Sequence, residues 1–172
     1  TVIAGIGQGY MLTTPLQLAY ATSVIANRGK SYRPHLVKGI MDSDLKEIEY
    51  IEPIMENHLD NIDRNHWEII HMGMKAVVNK KGGTAYGMFD NNYPLAGKTG
   101  SSQIYSLEKT QGENVPEEFL DHGLFIGFAP PENPRIALAI LVENGISGRT
   151  AAAPVAKKIL DVLLEEQKNV SQ

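Results

Sequence analysis

Leu95-Ala96-Gly97-Lys98-Thr99-Gly100-Ser101-Ser102-Gln103-Ile104 is the stretch on which the reading of this chain turns. It reads as a strand, yet it carries an ammonium, hydroxyls and two glycines. Glycine weakens a strand interior and often marks a place where a ligand or another backbone comes close. Gly97 and Gly100 therefore ask for a reason, and a peptide-like substrate lying along the strand would supply one. Gly97-Lys98-Thr99 also resembles the end of a phosphate-binding loop. That loop needs a glycine five residues before Gly97 and a helix directly after the threonine. Position 92 is Asn92 and the following residues are short, polar and β-like, so a nucleotide site is set aside.

Moving toward the C-terminus, Ser106 to Phe119 is polar, with Gly112 and Pro116, and reads as a surface loop able to overhang the strand. Gly123 to Phe128 and Arg135 to Glu143 are apolar strands joined by Ala129-Pro130-Pro131-Glu132-Asn133-Pro134, a connection short enough for an antiparallel pair. In the second, Ile136, Leu138, Ile140 and Val142 share one face, and Ala137, Ala139 and Leu141 the other. A strand apolar on both faces is covered on both. A closing helix is predicted from about Ala152 to Glu166, with Val155, Ile159, Val162 and Leu163 as its apolar stripe.

Toward the N-terminus, Thr14-Pro15 reads as an N-cap followed by proline at the first helical position. The helix should run to about Asn27 as buried scaffold, with Leu16, Ala19, Tyr20 and Val24 at helical spacing and Asn27-Arg28-Gly29 as its stop. Tyr32 to Ile40 and Ile48 to Ile51 read as a peripheral hairpin turning through Asp42-Ser43-Asp44. From Asp63 or Asn65, the residues Trp67, Ile70, Met74, Val77 and Val78 predict a second helix ending near Asn79. The fold class is α/β of the α+β type, an antiparallel sheet flanked by helices, in one partial domain over 1–172.

At 172 residues, one domain can bury roughly two-thirds of its unfolded surface. Lys plus Arg number 16 against 20 for Asp plus Glu, and no basic cluster recommends a nucleic-acid partner. Absence of cysteine excludes disulfides and thiolate metal sites. No apolar run reaches the roughly 18 residues of a membrane span, and Thr1-Val2-Ile3-Ala4-Gly5 has no signal-peptide pattern. The chain reads as cut from something longer.

Several blocks, in order, carry a resemblance: Gly5-Ile6-Gly7-Gln8-Gly9, Thr14-Pro15-Leu16-Gln17-Leu18-Ala19, Ile25-Ala26-Asn27-Arg28-Gly29, Gly83-Thr84-Ala85, Ala96-Gly97-Lys98-Thr99-Gly100-Ser101, Asp121-His122 with Phe125-Ile126-Gly127-Phe128-Ala129-Pro130, and Ala152-Ala153-Pro154. With them the chain resembles the C-terminal part of a penicillin-binding protein transpeptidase domain. Gly-Ile-Gly-Gln-Gly makes it most similar to the penicillin-binding protein 2 branch, which serves cell elongation. The resemblance implies a serine D,D-transpeptidase that cross-links peptidoglycan stem peptides through an acyl-enzyme and is acylated by β-lactams, with no cofactor. It implies the periplasmic side of the bacterial inner membrane, an anchor outside this chain, and a membrane glycosyltransferase of the elongation machinery as partner.

By the same resemblance, Lys98 holds positive charge beside the nucleophile and assists proton movement, while the Thr99 and Ser101 hydroxyls meet the substrate carboxylate. The Ser101 backbone N–H is an oxyanion donor, Gly100 leaves room beside Lys98, and Gln103 and Tyr105 shape specificity. Strand alternation puts Lys98, Gly100 and Ser102 on one face and Thr99, Ser101 and Gln103 on the other, so an edge position or a local twist must let both sets reach a ligand. His122, with Asp121, matches a block, either as a hydrogen-bonding group within the sheet or as a substrate contact.

The nucleophile is the missing part. Ser-x-x-Lys at Ser43-Asp44-Leu45-Lys46 follows the Gly-Gln-Gly region, against the family's order, and sits in a charged turn; Ser-x-Asn and Tyr-x-Asn do not occur. The serine is expected in the upstream part of the same protein, and this polypeptide alone is expected to be inactive. His35, His58, His66 and His71 lack a metal-binding spacing, and no metal is expected. The alternatives are a non-catalytic peptidoglycan-binding or β-lactam-binding module, or a β-lactam sensor or hydrolase of the same superfamily.

Overall fold

The computed structural model describes residues 5, 7, 12–44, 48–89, 93–104 and 115–170, with side chains described as far as Leu164. Among the described residues the α-helices α1 (Pro15–Ala26), α2 (Arg64–Asn79) and α3 (Ala153–Val170) surround a three-stranded antiparallel sheet. Its strands are β5 (Ala96–Ser102), β6 (His122–Ala129) and β7 (Ile136–Val142), in spatial order β5-β6-β7. In register, Lys98 lies opposite Ile126, Thr99 opposite Phe125 and Ser102 opposite His122. Among the described residues β5 is paired on one side only.

Each sheet face has its own core. Ala26, Met74, Ala96 and Phe128 join α1 and α2 to one face. Phe125, Leu138, Ala152, Ala153, Ala156, Leu160 and Leu164 join α3 to the other, with Val78 and Leu95 at its margin. Both faces of β7 are thus packed, by α1 on one and α3 on the other, as its two apolar faces predict. Burial of the two phenylalanines alone contributes several kcal/mol, at about 25 cal/mol per Å² of apolar surface removed from water.

The helix boundaries follow local chemistry. Thr14 caps α1 in a full capping box: its hydroxyl accepts from Gln17 N, and the Gln17 side chain accepts from Thr14 N. Arg28 and Gly29, with φ of 53° and 94°, turn the chain out of the helix. Asp63 caps α2 by accepting from Asn65 N.

The buried stripes of α1 and α3 differ from those expected. In α3 the stripe is Ala153, Ala156, Leu160 and Leu164, while Val155, Ile159, Val162 and Leu163 are each more than a third exposed. In α1, Thr22 and Ala26 are buried, whereas Leu16 is exposed. Where the sheet supplies bulk through Phe125 and Phe128, the facing turns carry small residues, Thr22 and Ala26 in α1 and Ala153 and Ala156 in α3, and Leu160 and Leu164 continue the α3 stripe. In α2, Trp67, Met74 and Val78 are buried as predicted, but His71 takes the place expected of Ile70, which is exposed. His71 Nε2 donates to Ile25 O at 2.8 Å, and its ring tilts against Phe128 with centroids 4.7 Å apart. It ties α2 to the end of α1.

The expected strand from Tyr32 to Ile40 is two strands. β1 (Lys30–Tyr32) pairs with β4 (Met55–His58), and β2 (Gly39–Met41) pairs with β3 (Ile48–Tyr50), the second ladder nested inside the first. Pro34 lacks the N–H a ladder needs and ends β1 after Tyr32. Ser43 lies in the turn of the inner ladder, and Lys46 falls outside the described residues. Among the described residues no helix is long and apolar enough to cross a membrane.

Candidate active site

The strand β5 sorts its side chains by face. Thr99 and Ser101 share the face of Phe125, toward α3, and Lys98, Gly100 and Ser102 share the face of Ile126 and Phe128, toward α1 and α2. This is the alternation expected from the sequence, and the unpaired edge of β5 is where both sets can be approached. Lys98 is exposed and its ammonium donates to the carbonyl of Thr99.

The two glycines differ in their reasons. A Cβ on Gly97 would lie 2.4 Å from Cζ of Phe125, so this glycine makes room for a core ring and not for a substrate. A Cβ on Gly100 would meet only the Cβ of Leu124, at 3.4 Å, an ordinary contact. The protein's own packing does not demand glycine at 100, and its bare backbone leaves room on the strand.

Opposite Thr99 and Ser101 stands a wall made by two other segments. The first is the turn after α2. Gly82 has φ of 93°, and a Cβ on Gly83 would come 2.2 Å from Val77 O, so the chain can fold back here only with glycine. That turn presents Thr84, whose hydroxyl lies 2.7 Å from the Thr99 hydroxyl. The second is the π-helical turn Gly148–Ala152 that leads into α3, capped by Ser147, which accepts from Thr150 N. Gly148 lies so close to the sheet that a Cβ would meet Leu124 O at 1.9 Å and Gly100 O at 2.6 Å.

Between them is an open pocket of about 470 Å³. Its side chains are the hydroxyls of Thr84, Thr99, Ser101 and Ser147 and one cation, Arg149; the rest is glycine. Among the described residues no carboxylate lines it. Arg149 Nη1 donates to Thr84 O at 2.9 Å and Nη2 to Tyr86 O at 3.1 Å. An arrangement of hydroxyls, one guanidinium and bare backbone suits a carboxylate or a polarised carbonyl.

His122 closes the far end of β6, beside Ser102. Its Nδ1 accepts from Asn144 N at 3.0 Å, and the Asn144 side chain donates to Glu117 O at 2.6 Å. Asn144 and Ile146 have φ of 55° and 66°, and Ile146 N donates to Asp121 O at 2.8 Å. The Asp121-His122 pair therefore holds the turn that delivers Ser147 and Gly148 to β5. His122 is thereby tied to the turn that follows β7.

Of the residues expected at the site, Thr99, Gly100 and Ser101 line the pocket, Lys98 stands on the other face of the strand, and Gln103 follows the strand half-buried without lining the pocket. Tyr105 lies outside the described residues, as do 106–114 of the expected overhanging loop. Thr84, Ser147 and Arg149 were not anticipated as site residues. Gly83-Thr84-Ala85 was a signal for the first; nothing in the sequence pointed to Arg149. A second Ser-x-x-Lys spelling, Ser106-Leu107-Glu108-Lys109, follows β5 and lies outside the described residues.

A family model for the penicillin binding protein transpeptidase domain matches residues 1–161. Peptidoglycan D,D-transpeptidase MrdA of Haemophilus influenzae is 37% identical over 171 residues, covering 97% of this chain and 26% of its own. Pseudomonas aeruginosa PBP2, solved in complex with WCK 5153, is 38% identical with a TM-score of 0.69, over 95% of this chain and 32% of that one. Penicillin-binding protein A of M. tuberculosis, solved as an imipenem acyl-enzyme complex, is 27% identical with a TM-score of 0.68, over 94% of this chain and 33% of that one. The chain thus spans about a quarter of the length of the curated relative it matches.

Proposed function

The chain belongs to the penicillin binding protein transpeptidase family, and from that membership we propose that it is the substrate-clamping part of a peptidoglycan D,D-transpeptidase of the elongation branch. The observation that carries the reading is β5, whose far edge is unpaired among the described residues, with Lys98 on one face and the hydroxyls of Thr99 and Ser101 on the other, beside a pocket that no acid among the described residues lines. It is supported by the similarity to the MrdA enzyme and to a penicillin-binding protein captured as an acyl-enzyme.

In this reading a serine outside these 172 residues attacks the penultimate carbonyl of a D-Ala-D-Ala stem and releases D-alanine. The acyl group then passes to an amine of a second stem. Lys98 keeps positive charge beside the serine and helps move its proton. Thr99 and Ser101 hold the terminal carboxylate, and the Ser101 N–H meets the developing oxyanion; such a donor is worth about 3 kcal/mol where one has been removed elsewhere. β-Lactams acylate the same serine. The protein works on the periplasmic side of the inner membrane beside a membrane glycosyltransferase.

Labelling with a fluorescent penicillin, followed by denaturing electrophoresis, tests this on the chain alone and on the chain mixed with the segment encoded upstream. A covalent band on the upstream segment, formed only in the mixture and lost slowly, is expected. A band on the 172-residue chain alone would overturn the reading, and Ser43 and Ser106 would be the first residues to replace.

A further inference from the structure

We infer that His122 is a positioning residue under proton control: as the neutral ring it holds the turn that carries the pocket wall, and as the imidazolium it lets that turn go. The inference rests on the transpeptidase reading and adds a pH response to it.

The turn after β7 needs holding. Asn144 and Ile146 have positive φ, 55° and 66°. Asparagine tolerates that region, but a β-branched isoleucine seldom adopts it, so its surroundings must fix it there. The turn is tied to the segment entering β6 by three bonds. Ile146 N donates to Asp121 O at 2.8 Å, the Asn144 side chain to Glu117 O at 2.6 Å, and Asn144 N to His122 Nδ1 at 3.0 Å. The next two residues are the wall itself. Ser147 caps the π-helical turn through Thr150 N, Gly148 is seated on the backbone of Leu124 and Gly100, and both line the pocket with Thr99 and Ser101.

Two of the three acceptors are carbonyl oxygens, which take no proton near neutral pH. The third is a ring nitrogen. Nδ1 accepts only in the neutral imidazole, because the imidazolium carries N–H on both nitrogens and would set donor against donor. Histidine is the side chain that makes this change between about pH 5 and 8. The elements adjoining His122 carry Glu117 and Glu118 on the 3-10 turn, Asp121 beside it, Glu143 just past β7, and Lys98 further along the face of β5 that Ser102 and His122 share. Carboxylates and amines do not ordinarily titrate in that range, which leaves the imidazole as the group that switches. Protonation thus removes one tie from a turn that holds two side-chain-bearing residues at positive φ, and the loss is passed on to Ser147 and Gly148.

The test uses the full-length protein at about pH 7.5 and about pH 5.5, on either side of the imidazole range. Hydrogen–deuterium exchange of residues 143–149, corrected for the intrinsic pH dependence of exchange, reads the turn, and the rate of acylation by a fluorescent penicillin reads the site. In the wild type, protection of the turn should fall about 3- to 10-fold on acidification, the size of one hydrogen bond. His122→Asn places an amide oxygen where Nδ1 stands and takes no proton there. It should track the wild type at the higher pH and keep its protection at the lower one. The ratio of wild-type to His122→Asn acylation should fall by the same factor between the two. His122→Leu, with no acceptor, should be poorly protected at both.

Equal protection of the turn at both pH values in the wild type would overturn the inference without needing any variant. So would an acid loss in His122→Asn as large as that in the wild type, since the proton would then act elsewhere. A turn that loosens while the acylation ratio stays flat would overturn the link to the site. If the turn responds as expected but penicillin acylates the protein at neither pH, the proton-controlled turn stands and the transpeptidase reading falls.

Discussion

The β5-β6-β7 sheet and the double ladder of residues 30–58 are both antiparallel and both rich in large apolar residues, but only one of them is covered. Phe125 and Phe128 in the sheet have no exposed surface, whereas Ile40 and Tyr50 in the ladder are 61% and 57% exposed. Strand-forming residues alone therefore do not make a core. The sheet has α1 and α2 on one face and α3 on the other, and its stability comes from those faces. Two-stranded ladders have no second layer and are marginal by themselves.

The contrast is sharpest under large-to-small substitution. Phe125→Ala would empty the centre of the α3 face and is expected to cost about 3–5 kcal/mol, read as a large drop in the urea midpoint. Next comes Gly148→Ala. A methyl group there meets backbone, not a side chain that can move aside, so a cost of about 1–3 kcal/mol or more is expected. Because the same shift moves Ser147 and Arg149 away from β5, penicillin acylation of the full-length protein should slow as well. Stability loss with an unchanged acylation rate would show that the pocket wall does not matter to the reaction.

The sequence displayed the sheet and hid the ladder for the same physical reason. Runs such as Ile136 to Val142 are apolar at every position, which only a doubly covered strand requires, and punctuation by Pro130, Pro131 and Pro134 marks their ends. Tyr32 to Ile40 has no such pattern, so the break at Pro34 and the pairing of β1 with β4 across the inner hairpin were not readable. The stripe of α3 misled because its apolar arc is wide, and the sheet took the side of Ala153, Ala156, Leu160 and Leu164. Lys98, Thr99 and Ser101 were singled out through the resemblance their block carries, and two of them, Thr99 and Ser101, line the pocket. The pocket itself was not legible, since Thr84 and Arg149 come from turns on either side of the sheet in sequence and meet only in three dimensions.

A smaller effect should come from the rim of the sheet core. Tyr93 Oη donates to Asp161 Oδ1 at 2.9 Å and Lys157 Nζ to Oδ2 at 2.7 Å, tying α3 to the segment before β5. The Lys157 hydrogen bond, with help from Tyr93, holds the Asp161 carboxyl below the ordinary aspartate range against the opposing push of burial. A depressed pKa adds stability that is complete above the unfolded value of about 3.9 and disappears as pH falls through the folded value. Asp161→Asn should therefore cost about 1 kcal/mol at neutral pH, and the gap between variant and wild type should close on acidification below about pH 4. A gap that persists at low pH would mean that the amide disturbs packing and that the charge is not what matters.

The smallest effect is expected in the ladder, where Ile40→Thr sits on β2 with most of its side chain in water. Threonine keeps the β-branched shape that suits a strand, and little apolar surface is lost from any interior. The change should lie within about 0.5 kcal/mol of zero, roughly a tenth of that for Phe125→Ala at the upper end of its range. A drop of the size seen at Phe125 would mean that Ile40 is covered in the intact protein. The ladder would then be an interface whose other half lies outside these 172 residues, and the difference between the two regions would belong to the isolated chain alone.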